Sequence, residues 1–262
     1  MLTLGIRVYG LAAIALGLVG LVWADFAAPW QPVPSEVPGR ATLALVTALA
    51  FVAGGAALQW RHTAKPGALL LAALYAVFAL LWAKRVIGFP AIFGTWSGMA
   101  EPVALAVAGL IAFARLGPRE SAGANRLALS GRLVFGLCLV AFGTAHLVYV
   151  VQTAAMVPAF MPGGTRLWAQ ITGFCHLLAG LALLSGVQAK VAARLLIAMF
   201  VGFGLLVWLP QLFATPHVHM AWGGNAINFA LVGAAWVVAD SLGWFKIQKE
   251  PLDATSAETA RA

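Results

Sequence analysis

Two stretches decide how this chain is read: TWSGMAEPVALAVAGLIAFA, Thr95 to Ala114, and AWGGNAINFALVGAAWVVAD, Ala221 to Asp240. At a shift of 126 residues they share Trp96/Trp222, Gly98/Gly224, Ala100/Ala226, Ala104/Ala230, Leu105/Leu231 and Ala108/Ala234. Working outward, Gly10/Gly136 and Gly17/Gly143 keep that shift. Gly55/Gly180, Ala64-Lys65/Ala189-Lys190 and Phe78/Phe203 keep one of 125. Alanine and leucine matches carry little weight in so apolar a chain. Glycine, tryptophan and lysine matches in one register identify an internal duplication. Residues present in only one copy are therefore the candidates for function.

The chain is 62% hydrophobic and 9% charged, with a mean hydropathy of +0.93. So few charges cannot cover a soluble domain of 262 residues, which makes lipid the expected solvent. Ten tryptophans suit bilayer interfaces. Eight apolar runs approach the ~20 residues a spanning helix needs: Leu4 to Ala24, Ala41 to Trp60, Gly67 to Trp82, Met99 to Ala114, Leu133 to Val151, Trp168 to Ser185, Ala192 to Leu212, and Ala221 to Leu242. The expected fold is all-α and polytopic: two four-helix bundles in parallel orientation. The first repeat takes 1–116, a cytoplasmic linker 117–131, the second repeat 132–244, and a polar cytoplasmic tail 245–262. Val22-Trp23-Ala24 imitates a signal-peptide cleavage site. The repeat argues for keeping this segment as the first helix, since Gly10 and Gly17 have internal counterparts.

Twelve of the 16 basic residues fall on the side of the N-terminus: Arg7, Arg61, Lys65, Arg115, Arg119, Arg126, Arg132, Lys190, Arg194, Lys246, Lys249 and Arg261. The positive-inside bias places both termini in the cytoplasm. It also accounts for the net charge of +8 and the pI of about 10.2 without a nucleic-acid partner. Cys138 and Cys175 form no disulfide framework and are expected as packed thiols.

The second repeat is richer in polar groups within its spans. His146 stands opposite Gly20, His176 opposite Phe51, His217 opposite Ala91 and His219 opposite Phe93. Asn225 and Asn228 stand opposite Met99 and Pro102. At ~1.5 Å per residue, His146 lies about 21 Å from the cytoplasmic end and His176 about 12 Å in from the other. Both fall in the outer half of the bilayer, as do Gln152, Gln170, Thr172 and Gln211. His146, His176, His219, Gln170, Thr172 and Asn225 are the candidate ligand-binding residues. A polar pocket for the head of an apolar molecule fits them. The bland alternative is interhelical hydrogen bonding, His146 to a carbonyl or Thr172 and His176 to Gln170. No metal is expected, because neither Cys nor a carboxylate reinforces the histidines, and no haem, because the depths of His146 and His176 differ. Glu101 is expected to pair with Lys84 or Arg85, while Asp25 and Asp240 read as solvated. Trp168, Trp208 and Trp222 read as belt residues, with a place facing a pocket as the alternative. Pro210 sits near the end of the seventh span, which leaves that helix unbroken. No recognised catalytic motif is present, so enzymatic activity stays open.

The second repeat resembles the DoxX-like family of four-helix membrane proteins, along AFGTAHLVYVVQTAAMVPAFMPGG (Ala141 to Gly164), WAQITGFCHLLAGLALL (Trp168 to Leu184), AKVAARLL (Ala189 to Leu196) and HVHMAW (His217 to Trp222). The shared elements are a polar residue late in the first helix, Val157-Pro158 with Pro162, Thr172-Gly173, the Ala179-to-Leu184 run, and His219-Met220-Ala221. Related sequences often carry glutamate where this chain has His176. The resemblance implies a bacterial inner-membrane protein, accessory to quinone-linked electron transfer, with quinone as the cofactor. Transport or binding of a hydrophobic small molecule, and a non-catalytic scaffold for another membrane subunit, are the competing expectations. Accessibility labelling of tags at the two chain ends tests the topology. Both should react only from the cytoplasmic face, and ends on opposite faces would contradict the eight-span reading.

Overall fold

In the computed structural model, residues 2–118 and 121–247 are described, with backbone alone for 244–247. Arg119 and most of the expected polar tail, 248–262, lie outside them. The elements are α1 (Leu4–Trp23), α2 (Arg40–Ala57), α3 (Ala64–Gly88), α4 (Phe93–Arg115), α5 (Ala122–Val148), the short α6 (Val150–Met156), α7 (Thr165–Ser185), α8 (Ala189–Phe203), a π turn (Gly204–Trp208), α9 (Leu209–Ala214) and α10 (His219–Ile247). With α8, the π turn and α9 counted as one, eight helices among the described residues are long and apolar enough to cross a membrane. This is an all-α, multi-pass membrane protein, and helices satisfy their own backbone groups in lipid.

The two sets of four are not separate bundles. Within each set the first helix packs on the second, and the third on the fourth. The fourth helix of each set then packs against the first helix of the other: α10 against α1, and α4 against α5. α4 and α10 also meet each other. These two are the most buried spans. A residue on α4 therefore borders both halves, and so does one on α10.

Matched glycines set the spacing. A Cβ on Gly10 would lie 2.7 Å from the Gly55 carbonyl, joining α1 and α2; one on Gly136 would lie 3.1 Å from the Gly180 carbonyl, joining α5 and α7. These are the pairs that the repeat aligns. Trp82 lies across Gly98, and Trp208 lies across Gly224. The Trp96 indole donates to the Pro90 carbonyl at 3.0 Å, and the Trp222 indole to the Pro216 carbonyl at 2.9 Å. Small residues let backbones meet where lipid supplies no hydrophobic drive.

Several expectations are corrected. The segment 117–131 is not all linker: α5 begins at Ala122, where the Ser121 hydroxyl accepts the Ala124 N–H at 3.3 Å as an N-cap. Asn125, Arg126 and Ser130 are polar because this end of the helix extends past the apolar span, not because the chain is irregular there. Asp25 is ion-paired with Arg40. Asp240 accepts the Gly5 N–H at 3.3 Å, placing a carboxylate at the N-terminus of α1. Cys138 is buried, whereas Cys175 is exposed on the outer face of α7; both are free thiols.

Pro210 does lie near the end of its span, which closes at Ala214, but the helix is not regular there. Pro210 follows a widened turn in which the Leu209 N–H reaches back to the Gly204 carbonyl. Proline supplies no N–H, so the ladder rearranges around it. The Asn225 amide donates to the Trp208 carbonyl at 2.6 Å and the Asn228 amide to the Phe200 carbonyl at 3.1 Å. The two second-repeat asparagines thus satisfy backbone carbonyls at and beside the distorted turn.

The close glycine contacts give a paired test. Gly143→Ala puts a Cβ 2.6 Å from the Gly173 carbonyl and should lower stability in detergent by about 1–3 kcal/mol. Gly202→Ala meets nothing within 4 Å and should be neutral or stabilising by up to ~1 kcal/mol. Thermal melts by fluorescence-detected size exclusion would show the difference, and equal shifts would contradict this packing.

Candidate functional site

The site grows from α7. Thr172 is bound within its own helix: its hydroxyl lies 2.9 Å from the Trp168 carbonyl and 3.1 Å from the Ala169 carbonyl. The same hydroxyl lies 3.0 Å from His146 Nδ1 on α5, linking the two helices. One turn on, His176 Nδ1 lies 2.9 Å from the Thr172 carbonyl. A carbonyl only accepts, so His176 carries its hydrogen on Nδ1. The Thr172 carbonyl thus fixes the Nδ1–H tautomer of a neutral His176 and leaves its Nε2 a bare acceptor, while His146 and the Thr172 hydroxyl share one hydrogen bond through Nδ1. The ring centroids are 5.0 Å apart. His176 is 2% exposed and packs against Phe142, Phe200 and Phe203.

The expected His176–Gln170 bond does not form. Six residues apart on a helix, the two side chains face different ways, whereas the Thr172 carbonyl lies one turn behind His176.

Both histidines and Thr172 line a cavity of about 410 Å³. Its far wall comes from α8, the π turn and α10, through Phe203, Trp208 and Asn228. Another side comes from the end of α6 and the following loop, through Met156, Val157, Pro158 and Met161. Trp168 also lines it and donates its indole N–H to the Pro162 carbonyl at 2.8 Å.

Three of the six candidates do not line this space. His219 stacks on Trp23, with centroids 4.9 Å apart and planes at 6°. Asn225 is spent on carbonyls of Trp208 and Ala221. Gln170, partly buried, stands outside the cavity wall. His217 is exposed. Among the described residues, no three His, Cys, Asp or Glu side chains converge as a metal-binding group.

The first repeat contributes what sequence reasoning missed: Trp30, Ser97 and Glu101 line the same cavity. Glu101 forms no ion pair with Lys84 or Arg85, because Lys84 is exposed and Arg85 lies over the Trp82 ring at 4.9 Å. It sits on the central helix α4, facing the other repeat. The signal was present: Ile227 is its counterpart, so Glu101 is an unmatched acid. Trp30, itself buried, comes from the loop after α1 and meets Trp208 edge-on, with centroids 5.8 Å apart.

The matching space in the first repeat is filled. Phe51 replaces His176 and packs with Tyr75 and Phe78, while Phe26 from the loop adds a further ring. A void of about 10 Å³ remains there. One repeat is plugged with aromatic rings and the other is open.

The chain matches no protein-family model, no curated protein and no solved structure.

Proposed function

We propose that this protein is a membrane-embedded binding protein whose second repeat receives the polar head of a small, largely apolar molecule. One observation carries the reading: a cavity of about 410 Å³ into which His146 and His176 are built, each held through Nδ1, with no protein hydrogen bond to either Nε2. Buried polar groups in a membrane are normally satisfied, and unspent ones in a cavity fit a ligand. Histidines needed only for helix packing would leave no such space, as the aromatic filling of the first repeat illustrates.

The DoxX-like resemblance gives this reading a specific form. The ligand is then a quinone or quinol, and the protein is an accessory subunit of electron transfer in a bacterial inner membrane, with both termini cytoplasmic. The wider π turn favours a second reading, transport of the bound molecule. It lies beside Pro210 in the cavity wall, where a helix with a rearranged ladder is suited to bend.

The test uses the full chain in nanodiscs, titrated with naphthyl compounds bearing hydroxyl, quinone or amine heads. Quenching of tryptophan fluorescence reports binding, since Trp30, Trp168 and Trp208 line the cavity. At least one compound should bind. His176→Phe, which installs the residue of the plugged repeat, should weaken it by about tenfold or more, or ~1.4 kcal/mol. His219→Ala should change affinity by less than about twofold, being outside the cavity wall. Binding by no compound, or equal binding by wild type and His176→Phe, would overturn the proposal.

A further inference from the structure

The cavity contains one acidic side chain, Glu101, and neither lysine nor arginine among its lining residues. The Trp30 side chain is a hydrogen-bonding neighbour of the Glu101 carboxyl. A carboxylate in a membrane interior is unfavourable unless a cation compensates it or a proton neutralises it. No Lys or Arg in the wall compensates it.

The remaining polar groups point the same way. The Thr172 hydroxyl lies 2.9 Å from a carbonyl of its own helix, and the Ser97 hydroxyl donates to the Gly94 carbonyl at 3.2 Å. The Asn228 amide gives one of its two hydrogens, and the Trp168 indole its single one, to carbonyls. The His176 Nδ1–H donates to the Thr172 carbonyl, and His146 Nδ1 is engaged with the Thr172 hydroxyl. The groups left over include the two imidazole Nε2 atoms, that of His176 a bare acceptor, and the Glu101 carboxyl, an acceptor when ionised. Thr153, the Trp208 indole and the second hydrogen of the Asn228 amide are the donors that remain. A carbonyl head, such as a quinone, brings no charge to an ionised Glu101 and no hydrogen to the His176 Nε2. A hydroxyl head offers hydrogens but no charge for Glu101. An ammonium offers both, with no acceptor of its own. The walls suit it as well, since Trp30, Trp208, Phe142 and Phe203 present aromatic rings, which attract a cation over their faces.

We propose that the cavity binds a lipophilic amine in its protonated form. The ammonium sits between Glu101 of the first repeat and the Nε2 atoms of His146 and His176 of the second, and the apolar body lies toward the Met156 and Met161 side. This rests on the binding reading above but not on its quinone form. It also gives the duplication a chemical purpose: the anionic and the neutral acceptors of one site come from different repeats, brought together by the exchange of fourth helices.

The experiment compares naphthylethylamine, its alcohol analogue naphthylethanol, and naphthoquinone on the full chain in nanodiscs at neutral pH. The amine should bind about tenfold or more tightly than either neutral compound. Trimethylating the amine keeps its charge and removes its hydrogens, and should lose much of that preference. Glu101→Gln should lower amine affinity to that of the alcohol while changing alcohol binding by less than about twofold. If Glu101→Gln does not fold, the comparison of amine with alcohol on the wild-type protein decides alone. An alcohol or quinone binding as tightly as the amine, with His176→Phe still weakening it, would overturn the ligand class and leave the binding site standing. Binding by none of the three would remove both proposals.

Discussion

A polar group surrounded by lipid has no water to turn to, and most of this structure answers that constraint. The Asp240 carboxylate meets the Gly5 N–H, so the last helix caps the first. Tyr9 on α1 donates to the Leu105 carbonyl on α4 at 2.8 Å, tying the outer helix to the central pair. Asn225 and Asn228 hold the carbonyls at and beside the π turn, where the helical ladder is rearranged. Thr172 serves its own helix and His146 at once. The cavity differs in bringing together the His176 Nε2, free to accept, and the Glu101 carboxyl, which has no cation in the wall beside it.

The duplication explains how such a site is tolerated. Two equivalent sets of helices share a packing scheme, with matched glycines at matched crossings. Sharing α4 and α10 across the halves makes each set depend on the other. The first set closes its own interior with Phe26, Phe51, Tyr75 and Phe78. Its loop also supplies Trp30 to the wall of the second. Stability therefore rests on rings packed in one half, while the other half keeps a space and the polar residues that line it.

Much of the fold was legible in the sequence because hydrophobic runs of spanning length admit few alternatives, and because Trp96/Trp222 and Gly98/Gly224 fixed the repeat. The exchange of fourth helices was not legible: parallel orientation follows from an even number of spans, but which neighbour a helix chooses depends on surface shape. The start of α5 was misplaced because polarity at the end of a long helix resembles a loop. At the site, asymmetry between the copies found His146 and His176, and their shared partner Thr172 followed from depth. The same asymmetry drew in His219 and Asn225, whose partners are Trp23 and a backbone carbonyl, and depth alone brought in Gln170. Glu101 was set aside through an assumed ion pair with nearby cations. Sequence proximity cannot say whether a side chain turns toward its own loop or toward the other repeat.

The contrast between an open and a plugged repeat is tested most directly at one pair of equivalent positions, Ala145 and Val19. Ala145 lines the cavity, and Val19 is buried at 6% exposure. With Cys138 and Cys175 replaced by alanine, a single cysteine is placed at either position in the full chain and treated with a small neutral thiol reagent. The account predicts fast labelling at Ala145→Cys, slowed by a bound amine, and little at Val19→Cys. Equal labelling at both sites, or faster labelling at position 19, would contradict it.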